Sequence, residues 1–368
     1  MTNIQKKVVL IFLGDCIYDA RVSNMAYTLY HHNHAVSIIH VPKHQKSNYS
    51  SFEFCQLYPI GLRESGPYKY YLFHRLVVKL LKQIKKDTLV ACDIFSLAAI
   101  TQFKQTNNLI FDSREIYTQL SAHNNKPWYR FFWKLYEKKY IKHMNHVVVT
   151  APLDQKYLEK LYKKFPINFS LLYNYPMAPK KHKRYSLHEY LNLPTKKQII
   201  LYQGVIQRGR GIKKLIQVVS KINNCVGVCI GSGEAQNYYK KLVSQAHLDT
   251  KIYFINHLPY EELLGFTSSA DIGWLMINPN SVSNQLALPN KFFEYMIMGL
   301  PVVCSKLINI QNIPSVKQFV TFVDFNNIEQ LIQSTKLLLN KKNNKEKIQS
   351  FGASFIWQKQ EQTFLNII

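Results

Sequence analysis

Two apolar segments that each run into a glycine, "KKVVLIFLGDC" at the start and "QIILYQGVIQ" near residue 199, constrain this chain more than any other feature. Each reads as a buried strand, ending at Gly14 and Gly204, and each opens a series of strand–helix alternations. In the first half the further strand candidates are "HAVSIIHV", "TLVACD", "NLIFDS" and "HVVVTA"; in the second they are "CVGVCIG", "KIYFIN", "ADIGWLM" and "LPVVCS". Apolar strands alternating with helices predict parallel sheets covered on both faces. A chain of 368 residues is long enough for two such α/β domains, each with its own core. The proline-bearing, basic stretch "YNYPMAPKKHKRYSLHEYLNLPTKKQ" predicts a linker between them. The expected division is 1–175, a linker over 176–197, 198–350, and a C-terminal amphipathic helix over 351–368.

Two doubly wound domains facing a cleft form a nucleotide-binding arrangement, because strand-end glycine turns and helix N-termini point at phosphates. Neither half carries the G-x-G-x-x-G dinucleotide fingerprint, and the G-x-x-x-x-G-K-[ST] phosphate loop is absent. A hydride-transfer enzyme and a nucleoside-triphosphatase are therefore disfavoured. "GSGE", with Gly231 and Gly233, is by itself only a tight turn.

Bulk properties bear on partners. The net charge of +25 suits an anionic surface, a phosphorylated substrate or nucleic acid, and it is shared by both halves. No RNA-binding aromatic signature or helix-turn-helix spacing supports nucleic acid. No signal peptide is read at the N-terminus, and no stretch approaches the roughly 18 uncharged apolar residues of a membrane span. The six cysteines are scattered; Cys225 and Cys229, on one strand, would lie roughly 13 Å apart at about 3.3 Å per residue. A cytoplasmic setting is the simplest, with peripheral attachment to the inner face of the membrane as an option. The histidines of "YHHNHAV" read as a solvated turn, and no D-x-D pair sits at a strand end, so no metal is expected.

The run "LALPNKFFEYMIMGLPVVCS" (286–305) places a carboxylate, Glu294, among apolar residues and three positions after Lys291. Pro289 suits the first turn of a helix, Phe292, Phe293, Met296 and Ile297 recur at helical spacing, and Gly299 is a C-terminal stop. A solvated Lys–Glu pair on that helix would contribute a few tenths of a kcal/mol. The alternative is a cleft-facing carboxylate, and the rest of the chain favours it.

The segments "LYQGVIQRGRGIKKLI" (201–216), "CIGSGE" (229–234) and "LPNKFFEYMIMGLPVVCS" (288–305) resemble the C-terminal domain of glycosyltransferase family 4, retaining GT-B enzymes that use nucleotide sugars. "DARVSNMAYTL" (19–29) is similar to that family's D-x-R-V helix start, "IFDSREIY" (110–117) to its D-x-H-E segment, and "LLYNYP" (171–176) to the strand before its linker. The resemblance covers nearly the whole chain. It implies a GT-B fold, two Rossmann-like domains facing a central cleft, with no metal or other cofactor beyond the donor. A departing diphosphate needs cations and backbone N–H groups. "RGRG" puts Arg208 and Arg210 on a glycine-rich turn, and the resemblance makes Arg210 the phosphate contact. Lys291, with the amides of Asn290 and Lys291 at a helix N-terminus, is a second phosphate site. A carboxylate can accept from both hydroxyls of a ribose, and the resemblance puts Glu294 there. His257 and Leu258, in "NHLPYEEL", are expected at the base.

Two departures limit the carry-over. The family's second Glu, eight residues earlier, is Leu286 here, which leaves Asn284 and Gln285 as neighbouring polar candidates for the sugar; and the His of D-x-H-E is Arg114. Asp15 and Asp19 follow the first strand, where an acceptor hydroxyl could approach, and either is a candidate base. Two segments, "YKYYLFHRLVVKLLKQIKK" (68–86) and "WYRFFWKLYEKKYIKH" (128–143), mix cations with large apolar residues. In the first, Phe73, Leu76, Leu80 and Ile84 form a stripe, read as a core-packing helix or as an interfacial one on anionic lipid. The expected function is transfer of a sugar from a UDP- or GDP-sugar to a glycan or lipid-linked acceptor in surface polysaccharide assembly. A GT-B epimerase or phosphorylase, or a non-catalytic nucleic-acid- or lipid-binding protein, are the alternatives.

Overall fold

A computed structural model describes residues 6–43, 49–62, 64, 66–178 and 185–368; the basic run 179–184 of the expected linker lies outside the described residues. The chain forms two compact units, 1–174 with 357–368, and 175–356.

The first unit holds a seven-stranded sheet: β1 (Lys7–Phe12), β2 (Ala35–His40), β3 (Gln56–Pro59), β4 (Thr88–Ala91), β5 (Asn108–Ser113), β6 (His146–Val149) and β7 (Asn168–Leu171). All neighbours are parallel, in the order β3-β2-β1-β4-β5-β6-β7. The second unit holds β8 (Gln198–Gln203), β9 (Cys225–Ile230), β10 (Ile252–Ile255), β11 (Ile272–Leu275), β12 (Val302–Ser305) and β13 (Val320–Val323), parallel in the order β10-β9-β8-β11-β12-β13. Each sheet reverses its order beside its first strand, between β1 and β4 and between β8 and β11. The crevice at the carboxyl end of such a reversal is where open α/β sheets bind ligands.

The central strands bury nearly every side chain, β9 and β11 completely, as their unbroken apolar sequences require. The strands absent from the sequence expectation, β3 and β13, lie at sheet edges, where one side is open and no apolar run is needed. β7 is also an edge strand; it ends at Leu171, where the expected one began.

The stretch expected as linker is partly built into the second unit. It carries a short helix, Leu187–Tyr190, whose Leu187 N–H donates to Ser269 Oγ at 3.1 Å. The C-terminal stretch is not one helix. Lys345–Gly352 ends in the second unit, and the last residues, from Trp357, pack on the first. There the buried Trp357 indole donates to Thr28 Oγ1 at 2.7 Å, and Gln360 Nε2 donates to the Tyr173 carbonyl at 2.6 Å. Within the second unit, the helix Lys345–Gly352 lies backbone to backbone on the helix Asn290–Met298. A Cβ at Gly352 would sit 2.5 Å from the Ile297 nitrogen, so only glycine permits this approach. That contact braces the helix carrying Glu294.

In the helix Gly66–Gln83 the deepest positions are Phe73, Val77 and Leu81, with Ile84 just beyond it; Leu76 and Leu80 are only partly buried. The core stripe thus keeps the expected Phe73 and Ile84 but takes Val77 and Leu81 in place of Leu76 and Leu80, while Tyr68 and Tyr71 stay exposed at 60% and 54%. The helix Pro127–Ile141 differs. Trp133, Glu137 and Ile141 face inward, while Trp128, Phe131, Phe132 and Leu135 are exposed at 84%, 55%, 56% and 52%.

Candidate functional site

In the second unit the site is built on the carboxyl end of β8. Its last residue, Gln203, is buried, and Gly204 follows at φ +118°, a backbone reserved for glycine. The turn 204–211 then leads into the helix Ile212–Ser220, with Gly209 and Gly211 also at positive φ. Two bonds pin this turn to the end of β11: the Trp274 indole donates to the Gly211 carbonyl at 3.1 Å, and Asn278 N–H to the Gly209 carbonyl at 2.9 Å.

The two arginines of the turn part company. The Arg208 guanidinium lies 4.6 Å from the centre of the Tyr238 ring, stacked on its own domain's surface. Arg210 turns toward Lys291. With the Gln207 amide assigned oxygen inward, Arg210 Nε and Nη2 donate to it at 2.9 and 3.1 Å. Lys291, in the first turn of the helix Asn290–Met298, holds its Nζ 3.9 Å from the centre of the Tyr202 ring and beside Gly204. Burial, and then the Arg210 charge, push the Lys291 amine down to about 7, against the opposing pull of Glu294. Two cations, Arg210 and Lys291, are therefore brought close together, Lys291 from the first turn of the helix Asn290–Met298, and an anion would neutralise them.

Glu294 lies one turn on, 7% exposed. It forms no ion pair with Lys291 among the described residues, so the solvated-pair reading fails. Gln203 Nε2 donates to Glu294 Oε2, and Gln203 Oε1 accepts from Thr267 Oγ1 at 2.7 Å. The buried Tyr260 hydroxyl stands beside the carboxylate without completing a well-aligned hydrogen bond. Burial raises the Glu294 pKa above the ordinary carboxylate range, and the Gln203 bond partly offsets this. Gln203, Thr267 and Tyr260 escaped the sequence reading because neutral polar residues in apolar strands and helices carry no local signal.

The remaining expected positions divide by what surrounds them. A Cβ on Gly231 would lie 2.1 Å from the Gly204 carbonyl oxygen, and one on Gly233 would lie 2.3 Å from that of Ile206. Both glycines are thus accounted for by the packing of the β9 turn on the β8 turn. Gly14, in the first unit, has the Phe12 ring where a Cβ would go. His257 is exposed and Leu258 half-buried in the loop between β10 and the helix Tyr260–Thr267. Asn284 Nδ2 donates to the Asn278 carbonyl at 2.8 Å and Gln285 Nε2 to that of Pro279 at 2.9 Å, so both amides brace their own loop. Leu286 follows them, half-buried.

In the first unit neither candidate base stands ready. Asp19 caps the helix Ala20–His31 through Val22 N–H at 2.8 Å, and its other oxygen pairs with Arg114. Asp15 accepts from Lys43 N–H at 2.8 Å and Tyr49 Oη at 3.2 Å. Both carboxylates thus take part in holding the loop after β1. Arg114 also bonds Asp112 at 2.9 Å, and Asp112 takes Arg21 as a second partner at 2.7 Å. Burial alone would raise the Asp112 pKa, but the two guanidiniums outweigh it and hold it below the usual range. Arg21 further donates to the Leu172 and Tyr173 carbonyls. The Arg of D-x-R-V and the Asp at the end of β5 are therefore one buried clamp.

Residues 184–354 match the family described as glycosyl transferases group 1, which is nearly the whole second unit. No curated protein sequence matches. Solved structures with the same fold include a sucrose-phosphate synthase from Thermosynechococcus elongatus, with TM-score 0.80 and 18% identity over 99% of this chain and 98% of that one. Anabaena HepE in complex with UDP and glucose aligns with TM-score 0.76 and 11% identity, covering 98% and 99%. WaaG, a glycosyltransferase involved in lipopolysaccharide biosynthesis, aligns with TM-score 0.65 and 12% identity, covering 97% and 95%.

The depressed Lys291 value has a direct check: charged below pH 7, the amine is mostly neutral above it. After reductive ¹³C-methylation, one dimethyl-lysine NMR signal should titrate near pH 7, well below the range of a free lysine amine. That signal should vanish in Lys291→Met and shift to higher pH when pyrophosphate is added. A Lys291 signal that titrates with the rest contradicts the convergence of the two cations.

Proposed function

We propose, from the premise that this chain is a GT-B glycosyltransferase whose second unit belongs to glycosyl transferases group 1, that it transfers a sugar from a UDP-sugar to a glycan or lipid-linked acceptor in surface polysaccharide assembly. The observation that carries the reading is the convergence of Arg210, Lys291 and the helix N-terminus within one turn of a buried carboxylate. This spacing suits a diphosphate joined to a ribose. The cations and N–H groups take the diphosphate, where charge accumulates as the sugar departs, and Glu294 accepts from the ribose hydroxyls. The UDP complex of the similarly folded HepE favours uridine over guanosine as the base.

The reading is of a retaining transfer. With Asp15 and Asp19 both engaged, the acceptor proton passes to the departing diphosphate, whose oxygens become more basic as the glycosidic bond breaks. Lys291, poised near neutrality, becomes fully charged against that developing anion. The family match disfavours the non-catalytic alternatives. Epimerase or phosphorylase chemistry would use the same phosphate site but would need no acceptor glycan.

Attachment to an anionic membrane surface belongs to the same reading, and one helix favours it. No described helix is long and apolar enough to cross a membrane. The outward face of Pro127–Ile141 carries Trp128, Phe131, Phe132 and Leu135 at helical spacing, with the exposed Arg130, Lys134 and Lys138 around them. An exposed apolar stripe with cations and a tryptophan is the composition of an interfacial helix.

Arg210→Ala should reduce kcat/KM by about 30- to 1000-fold, or ~2–4 kcal/mol of transition-state stabilisation, while Arg208→Ala costs less than tenfold. The reverse order would mean that the turn is misassigned. For attachment, the protein should sediment with phosphatidylglycerol vesicles, release as salt rises, and ignore phosphatidylcholine. The triple change Trp128→Ser, Phe131→Ser, Phe132→Ser should abolish sedimentation without altering activity on a soluble acceptor. Equal binding to both vesicles, or to neither, refutes attachment.

A further inference from the structure

In the first unit, the carboxyl ends of β1 and β2 bring together the side chains of Asp15, Cys16 and His40. Asp15 and Cys16 follow β1, and His40 closes β2, directly opposite Phe12 in the parallel ladder. One potential ligand atom from each, a carboxylate oxygen, the thiol sulfur and an imidazole nitrogen, lies within 4.8 Å of the other two, and all three residues are buried.

His40 is the telling member. It is completely buried, yet among the described residues neither Nδ1 nor Nε2 has a hydrogen-bond partner, and Nδ1 stops 3.7 Å from Asp15 Oδ1. Buried imidazoles normally satisfy at least one nitrogen, and one that does not calls for a missing water or ion.

The surroundings hold the trio in place. The Asp15 carboxylate is held in the loop by Ile17 N–H at 3.4 Å, Lys43 N–H at 2.8 Å and the Tyr49 hydroxyl at 3.2 Å. The Tyr49 ring packs edge-on against His40 at 5.1 Å, and Val41 N–H ties the end of β2 to the Gly14 carbonyl at 3.0 Å. A thiol, an imidazole and a carboxylate form a mixed S, N, O donor set. That combination suits zinc(II) better than magnesium or calcium, which take oxygen.

We propose that Asp15, Cys16 and His40 form a zinc(II) site that fastens the loop after β1 to the end of β2. On binding, the Cys16 thiol gives its proton to solvent and its sulfur bonds the metal, while Asp15 and the neutral His40 supply an oxygen and a nitrogen. Three protein donors leave the fourth tetrahedral position to a water, and the role assigned to the metal is to hold the loop.

The test uses the reduced, metal-stripped full chain, with cobalt(II) as a spectroscopic probe and zinc(II) as competitor. One equivalent of cobalt should produce a thiolate-to-cobalt charge-transfer band that zinc abolishes, and one equivalent of zinc should raise Tm. Cys16→Ser should lose the band, whereas Cys92→Ser, a buried thiol elsewhere, should keep it. His40→Asn should weaken cobalt binding by roughly 100-fold. The metal-free Tm of each variant establishes that it is folded, and Asp15→Asn serves in place of Cys16→Ser if that protein does not fold. Absence of the band and of any Tm shift in the wild type overturns the proposal and leaves an ordered water as the partner of His40. A band that survives in Cys16→Ser overturns it too.

Discussion

The Glu294 carboxylate sits in a helix whose other side chains are nearly all buried, and the cost of a charge there is offset first by the Gln203 amide that donates to it, then by Tyr260 and Lys291. The consequence reaches beyond one hydrogen bond. Gln203 is the last residue of β8, so the sheet fixes where its amide begins; Thr267 occupies its oxygen, so the nitrogen faces Glu294. The carboxylate is thereby registered against the Gly204 turn, and through that turn against Arg210 and Lys291. A single donor leaves an ionised carboxylate able to accept further bonds. The arrangement is costly when empty and satisfied when hydroxyl groups arrive, which is the logic of a preorganised site.

The first unit solves a similar problem differently. Arg21, Arg114, Asp19 and Asp112 balance two positive charges against two negative ones, largely out of solvent. Arg114, at the position of the histidine in the D-x-H-E segment that this stretch resembles, spends its Nε and Nη1 on protein carboxylates. The cluster fixes the start of the first helix to the end of β5 and immobilises Asp19.

Much of this was legible in the sequence, for physical reasons that also mark its limits. Central strands of parallel sheets must be apolar along their length, so β1, β8 and β9 announce themselves; β3 and β13, at edges, do not. Glu294 was legible because a carboxylate in an apolar helix contradicts its surroundings. Its partners Gln203 and Thr267 were not, since neutral polar residues break no pattern. Asp15 and Asp19 looked available because sequence shows that a carboxylate follows a strand but not what already bonds it. Asp15 and His40 are 25 positions apart and meet only through strand pairing, which no ligand spacing encodes. The return of Trp357 to the first unit was hidden for the same reason: its partners, Thr28 and Arg21, lie more than 300 residues away.

The central claim is that Glu294 holds a ribose, and calorimetric titration with UDP and its 2′,3′-dideoxy analogue tests it most directly. A lost pair of hydrogen bonds to a charged acceptor costs about 1.5–3 kcal/mol, so wild type should bind UDP roughly ten- to 150-fold more tightly than the analogue. In Glu294→Ala, folded by the criterion of an unchanged far-UV spectrum, most of that preference should disappear, with Glu294→Gln between the two. Equal discrimination in wild type and Glu294→Ala would contradict the account and leave the buried carboxylate a structural partner of Gln203 alone.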